Sequence, residues 1–507
     1  MAEIDSLECV VTENILKRGR SEGWVPTLSK SKYLDGLKCQ KLLWYQYNAP
    51  KEIPAPDEAQ QAIFDAGHEV GKLAHACYPG GVEVDFSKGF ASTLEQTRQL
   101  LKERRPIYEA SVGAKDIYVR VDILVPAEDG TWDIVEVKSG TDVKDVYIDD
   151  VALQRFCLGA AGIKVRKTQV LYVNNKYVKR GPIDPQQFFA IEDVTTRVAE
   201  ALPFIEENVS NMKHIILGVK PEVAIGPQCT APYVCPMKGV CWAFLEPDNV
   251  TELYYAGKRV FSWLDTYPRI IDVPAALLSE KQRIQRDAIL TGKLQAQPAL
   301  IKKWLGTLSY PLHFLDFETI NPALPLFDGA RPYQHLPFQF SLDILEKDGT
   351  SRHEEFLWTE ASDPRPALAV ALRAIGSAGS VVAYNAPFEQ RVLRDLAEEF
   401  PNERTHLANV GDRLADLQIP FKNFWYYHPL QHGSCSIKAA LPDLYRNLEI
   451  PDGGAAQREY FAVVFGPKAN DPGERERVFA ALRKYCPQDT LALRQGLALL
   501  QQTTNAH

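Results

Sequence analysis

The sequence predicts an α/β and α+β protein in which two sheet-bearing domains flank a mostly helical segment, and three observations carry that expectation. Residues Val119 to Gly140 read as a β-hairpin: apolar residues alternate as far as Val125, Glu128, Asp129 and Gly130 make a turn, and alternation resumes at Trp132. Short strand-like and helix-like stretches then alternate from Gly140 to Cys229. Near residue 310 a second apolar strand, YPLHFLDFETI, opens a meander that leads into a strand–helix crossover, the pattern of a mixed sheet. The domain bounds that follow are 1–245, 246–305 and 306–507.

Composition sets the class. With 507 residues, 45% hydrophobic and 24% charged, the chain is long enough for several cores of ordinary globular kind. No twenty-residue apolar run exists, so no membrane partner is expected. The opening residues, MAEIDSLECVVTENILKRGRSEG, place acids before any apolar run and do not read as a secretory signal. Nine cysteines, an odd number, argue against a disulfide framework and for a reducing cytoplasm. The net charge of −8 leaves room for local basic stretches, RQLLKERR at Arg98–Arg105 and the segment Lys258–Lys303, as phosphate contacts or as solvated helix faces.

In the first domain the return strand of the hairpin ends in Glu136-Val137-Lys138, so Glu136 and Lys138 share a face, and Asp122 lies on the partner strand. Two acids and a lysine there suit a divalent metal, or else a solvated edge face. Upstream, His68 and His75 fall on one side of a helical stretch, and a neutral imidazole could join such a metal. Downstream, Gln154 lies in a helix preceded by Asp149 and Asp150, where its amide could reach the site or a nucleotide. After it come TQVLYVNNKYV, read as a strand, and a helical stretch opened by Asp184-Pro185.

Gly71-x-x-x-His75, Asp122, Glu136-x-Lys138 and Gln154, in that order, resemble the RecB-like branch of the PD-(D/E)XK nucleases, which implies a restriction-endonuclease-like core. By that resemblance His75, Asp122 and Glu136 hold Mg²⁺ or Mn²⁺, Lys138 acts on the attacking water, and Gln154 touches substrate. The branch often has a tyrosine where this chain has Leu158.

Cys229, Cys235 and Cys241 stand at intervals of six in a Pro- and Gly-broken stretch, and Cys39 is the natural fourth thiol. An iron–sulfur cluster, a zinc ion and ordinary cysteines all remain open from spacing alone. One distant and three late cysteines resemble the iron–sulfur nucleases of the same branch, which implies a [4Fe–4S] cluster on these four, although C-x₅-C-x₅-C replaces the usual close pair.

The second half is organised around Asp316 and Glu318, two apart on one strand and hence side by side. Adjacent carboxylates repel unless protonated, shielded or coordinated. A polar strand face is the plainer alternative. In AYNAPFEQRVL, Asn385 suits the strand-to-helix turn, Phe388 anchors the helix and Glu389 lies in its first turn; Tyr485 and Asp489 share a face of the last long helix. Together these resemble the tyrosine-bearing DEDD exonucleases of RNase H-like fold. The resemblance implies two divalent metals on Asp316, Glu318, Glu389 and Asp489, with Tyr485 on the attacking water. Glu389 departs from the usual aspartate, and Asp412 and Asp416 are candidate substitutes. Ser434, Ser436 and Lys438 are candidate phosphate contacts.

The expectation is a cytoplasmic metal-dependent nuclease with two centres, acting on nucleic acid, DNA first, in repair or defence and with such proteins as partners. The alternatives are one catalytic centre with a nucleic-acid clamp, and a zinc-stapled binding protein without turnover.

Overall fold

The computed structural model describes residues 25–446 and 448–505; the opening stretch discussed above, with Cys9, lies outside them. The chain divides into two compact units. One runs to Ala243 and includes Ala323–Tyr333; the other takes Phe244–Pro322 and the chain from Gln334 onward. The architecture is mixed, α/β and α+β, with a sheet in each unit. Among the described residues no helix is long and apolar enough to cross a membrane.

The first unit is built on β1 (Leu28–Ser29), β2 (Val82–Glu83), β3 (Ile107–Ala114), β4 (Ile117–Pro126), β5 (Trp132–Lys138), β6 (Val165–Val173) and β7 (Phe189–Asp193). The sheet runs β2-β3-β4-β5-β6-β7, with β1 beside β4. In β4, Ile117, Val119, Val121 and Ile123 are buried in alternation, as a period of two requires of a strand with one face on a core. Helix α1 (Asp145–Ala160) packs Val151, Leu153 and Cys157 into that core. The stretch after Asp184-Pro185, expected as one or two helices, holds a strand as well. A short turn at Pro185–Phe188 gives way to β7, which pairs antiparallel with β6, and only then does the helix Thr195–Leu217 begin. An open sheet edge outweighs the weak helical preference of FFAIED. Ala323 and Tyr333 pack in the same unit against Val135 and Leu171, and the Tyr333 hydroxyl donates to the Ser139 carbonyl.

The second unit holds β8 (Leu312–Ile320), β9 (Leu336–Leu345), β10 (Ser351–Leu357), β11 (Ser380–Ala383) and β12 (Leu414–Asp416), ordered β10-β9-β8-β11-β12. β9 is antiparallel to both β8 and β10, while β11 runs parallel to β8 and to β12. Helix α2 (Pro387–Glu399) follows β11, and α3 (Pro472–Asn505) closes the unit. Polar contacts set the register of α3 on β9: Gln339 Nε2 donates to the Leu482 carbonyl at 3.0 Å, and Ser341 and Thr490 hydroxyls meet at 2.8 Å. Buried polar pairs of this kind cost little once satisfied and are costly to misalign, so α3 has one seat on the sheet.

Candidate metal centre

Strand β8 carries Asp316 and Glu318 on one face, and α3 brings Cys486 onto them. One ligand atom of each of the three lies within 4.8 Å of the others. The carboxyl of Asp316 is raised well above its usual range by burial, then by Asp489, Glu318 and Glu389, with Lys438 opposing. Glu318 is pushed up to about 8 by burial and then by Asp489. Asp489 is also raised by burial, although the Tyr445 hydroxyl donates to its Oδ1 at 2.7 Å. Four acids thus share one low-dielectric space. Lys438 Nζ donates to the Tyr485 hydroxyl at 3.1 Å and to the Pro451 carbonyl at 2.7 Å. Burial, then Asp489, Glu318 and Asp316, drive the Tyr485 phenol far above its ordinary value.

Glu389 arrives from the other side. Asn385 adopts φ 63°, the left-handed conformation that Asn tolerates, and turns the chain from β11 into α2. Asp416 Oδ1 accepts the Asn385 and Gln418 amides, both at 2.9 Å, and so braces the turn that delivers Glu389. Asp412 ends the helix Arg404–Asp412. Phe388 packs edge-on against His335. Glu389 is 2% exposed, is pushed up to about 8 by burial, and its Oε2 has no hydrogen-bond partner among the described residues. A buried carboxylate oxygen without a protein donor calls for a proton, a water or a cation. The donor set, mostly carboxylates with one thiol and an orphaned oxygen, fits a divalent cation.

A carboxyl whose folded pKa lies above its unfolded value favours folding while protonated. The stabilisation is therefore lost as pH rises from the ordinary 4.5 through about 8 for Glu318 and Glu389. In a chelator, thermal melts of the full chain should show a midpoint that falls across that window. Excess divalent cation should flatten the fall. A midpoint independent of both pH and cation would show that these acids are not forced together.

The two serines near Lys438 are engaged locally. Ser436 Oγ accepts the Ala439 amide at 3.2 Å as the cap of a short helix, and Ser434 Oγ accepts the Ser436 amide at 3.2 Å.

The first unit holds a different cluster. Lys138 Nζ donates to Glu136 at 2.6 Å and to Asp150 at 2.7 Å, and Gln154 Nε2 donates to Glu136 at 2.7 Å and to Asp150 at 2.9 Å. Asp122 accepts the Val137 amide at 2.7 Å. Lys30, at the head of the helix Lys30–Lys38, places its ammonium 2.8 Å from Glu136 and 3.6 Å from both Asp122 and Asp150. Burial and then Glu136 push Asp122 up to about 7. Burial would raise Glu136 too, but Lys138 and Lys30 outweigh it and hold that carboxyl well below its usual range. His75 stacks on Tyr108 with ring centroids 4.0 Å apart, and burial lowers its pKa, opposed by Glu83 and Glu109; it joins no metal-sized group among the described residues.

Sequence reasoning missed Lys30 and the role of Asp150. The four-residue step from Asp150 to Gln154 was a usable signal, because it puts both on one helix face. Lys30 left none, being 106 positions from Glu136. Removing its charge should expose three acids to one another. Lys30→Met is expected to destabilise the chain by about 3 kcal/mol, the usual cost of breaking a buried pair, with Lys30→Arg retaining most of the stability. Denaturant midpoints read this, and equal midpoints for both variants and the parent would reject it.

A third group also escaped the sequence reading. Asp248, Glu252 and His432 bring ligand atoms within 4.8 Å, with His432 Nδ1 3.1 Å from Asp248 Oδ1.

The iron–sulfur expectation is corrected. Cys39, Cys229, Cys235 and Cys241 line one small cavity with Leu42, Val223, Ile225 and Met237, yet no three of their sulfurs lie within 4.8 Å of one another. Among the described residues neither a [4Fe–4S] ligand set nor a four-thiol zinc set is formed. Cys39, Cys235 and Cys241 pack instead as small apolar groups beside Leu42, Tyr45 and Met237, a role that free cysteine commonly fills.

Comparison with known proteins is consistent with that correction. A family model described as a domain of unknown function, DUF2779, matches residues 313–436, a stretch that contains Asp316, Glu318 and Glu389 and stops short of Tyr485 and Asp489. The crystal structure of SSO0001 is similar at 14% identity and a TM-score of 0.24, covering 48% of this chain and 98% of that one, a likeness too slight to carry an argument. No curated protein matches the chain. The resemblance to an iron–sulfur RecB-like PD-(D/E)XK nuclease joined to a DEDD exonuclease therefore does not hold as an identity: the matched family has no assigned function, and the cysteine set that tied the chain to that branch is not formed.

Proposed function

We propose that the second unit is a metal-dependent phosphodiester hydrolase acting on nucleic acid, DNA first. The observation that carries this reading is the meeting of Asp316, Glu318 and Cys486 within 4.8 Å, in a space that Glu389 and Asp489 also charge. A divalent cation bound there would neutralise the acids and act as a Lewis acid toward a phosphoryl oxygen. Asp316 and Glu318 would hold it, with Glu389 and Asp489 completing the carboxylate share of its ligands. The Tyr485 hydroxyl sits among these acids, where it would position the attacking water by hydrogen bonding. Lys438 fixes that hydroxyl and offers a positive charge to a phosphate. Ser436 caps the short helix that carries Lys438, and Ser434 braces that cap. The sheet orders support an RNase H-like reading of the second unit and a restriction-endonuclease-like reading of the first.

One observation favours a single cutting centre. In the first unit Lys30 and Lys138 already pair with Glu136 and Asp150, and Lys30 lies 3.6 Å from Asp122, so two ammonium groups offset most of the charge of three acids. In that reading the first unit, with Lys138 and Gln154, grips the strand while the second cuts it. In the two-centre reading Asp122 and Glu136 hold a metal of their own and Lys138 acts on water. Single- and double-stranded DNA and RNA, end-labelled and incubated with divalent cation, decide between them. The proposal expects cleavage that Asp316→Asn removes. Loss in Lys138→Ala as well would restore the second centre, and no cation-dependent cleavage of any substrate would end the hydrolase reading.

A further inference from the structure

We infer that Cys486 is a ligand in the metal centre of the second unit and biases that centre toward a soft or borderline divalent cation. The inference rests on the hydrolase reading of this site and deepens it by assigning the class of metal. Cys486 is fully buried, and its sulfur lies 4.0 Å from the backbone carbonyl of Asp316. Its sulfur and one carboxylate oxygen each from Asp316 and Glu318 lie within 4.8 Å of one another, the spacing of atoms that share an ion. Cys486 precedes Asp489 by three residues on α3, so thiol and carboxylate face the same way.

A cysteine kept for packing seeks apolar neighbours, as Cys157 does in the core of the first unit. Cys486 instead faces two carboxylates. A second, independent observation points to a cation in the same space. Glu389 is 2% exposed, one of its oxygens has no donor among the described residues, and its charge reaches Asp316. Asp316, Glu318, Glu389 and Asp489, with Asp452 near Glu318, stand against the ammonium of Lys438, a surplus of negative charge that a divalent ion relieves. Oxygen-only cages suit hard ions, whereas a thiolate raises the preference for softer ones. On coordination the thiol gives its proton to solvent and a metal–sulfur bond replaces the S–H bond.

The test uses the full chain and ¹¹³Cd²⁺, whose NMR shift distinguishes oxygen-only from thiolate-bearing sites. Cadmium held by the remaining cysteines is separated by requiring that the resonance vanish in Asp316→Asn. The parent should give such a resonance at a mixed sulfur–oxygen position, and Cys486→Ser should move it to an oxygen-only position. Cys486→Ser should also weaken Cd²⁺ at this site at least about tenfold while leaving Mn²⁺ within about twofold. Cys486→Ala, read in the same way, keeps the test alive should the serine variant melt early. An Asp316-dependent resonance indifferent to both Cys486 variants overturns this inference and leaves the hydrolase reading standing. Absence of any Asp316-dependent resonance overturns both.

Discussion

Asp316→Asn is expected to lower cation-dependent cleavage by about a thousandfold or more, because it removes the carboxylate around which the other ligands gather. Asparagine keeps the volume, so the strand should still form. The loss should appear in both turnover and cation affinity, since Asp316 is the group that Asp489, Glu318 and Glu389 all act upon. Removing one buried negative charge from a crowded set also relieves repulsion. The variant should therefore melt at a higher temperature than the parent in chelator near pH 8, where the acids are being forced to ionise. Cleavage assays with titrated cation and paired melts measure the two effects. An inactive variant that is also less stable in chelator would mean that the change had damaged the fold and not the centre alone.

Tyr485→Phe is expected to reduce turnover about a hundredfold with little change in strand affinity, the scale expected when a reacting water loses its positioning partner. The ring is 3% exposed and is kept by phenylalanine, so packing against the sheet should survive. What disappears is a hydroxyl that accepts from Lys438 and sits among Asp489, Glu318 and Asp316. Turnover unchanged in Tyr485→Phe would make Tyr485 a packing aromatic of the helix face.

The parts of the site that could be read without coordinates are those built by short-range periodicity. Asp316 and Glu318 are two apart on a strand, Tyr485 and Asp489 four apart on a helix, and Glu136 and Lys138 two apart on β5; the period of each element alone puts the members of each pair on one face. The hairpin was legible for the same reason, since alternation ends at a turn with Gly130 at φ 84°. The strand Phe189–Asp193 was not, because its pairing with β6 depends on a distant sheet edge that local spacing does not reveal. The cysteines show the opposite failure. Their spacing suggested a shared ion, whereas apolar packing around Leu42 and Met237 keeps the sulfurs from closing into a set.

By itself, then, the sequence determined a mixed α/β and α+β chain and the faces on which Asp316, Glu318, Tyr485 and Asp489 stand. Only the tertiary structure decided which faces meet. Lys30 reaches Glu136 across 106 positions, Cys486 reaches Asp316 across 170, and His432 reaches Asp248 across 184. Such meetings depend on strand order and on where a helix seats on its sheet, as the Gln339–Leu482 and Ser341–Thr490 contacts seat α3. Local spacing carries no information about them, because side-chain period orients a residue about its own element and leaves open what that element packs against.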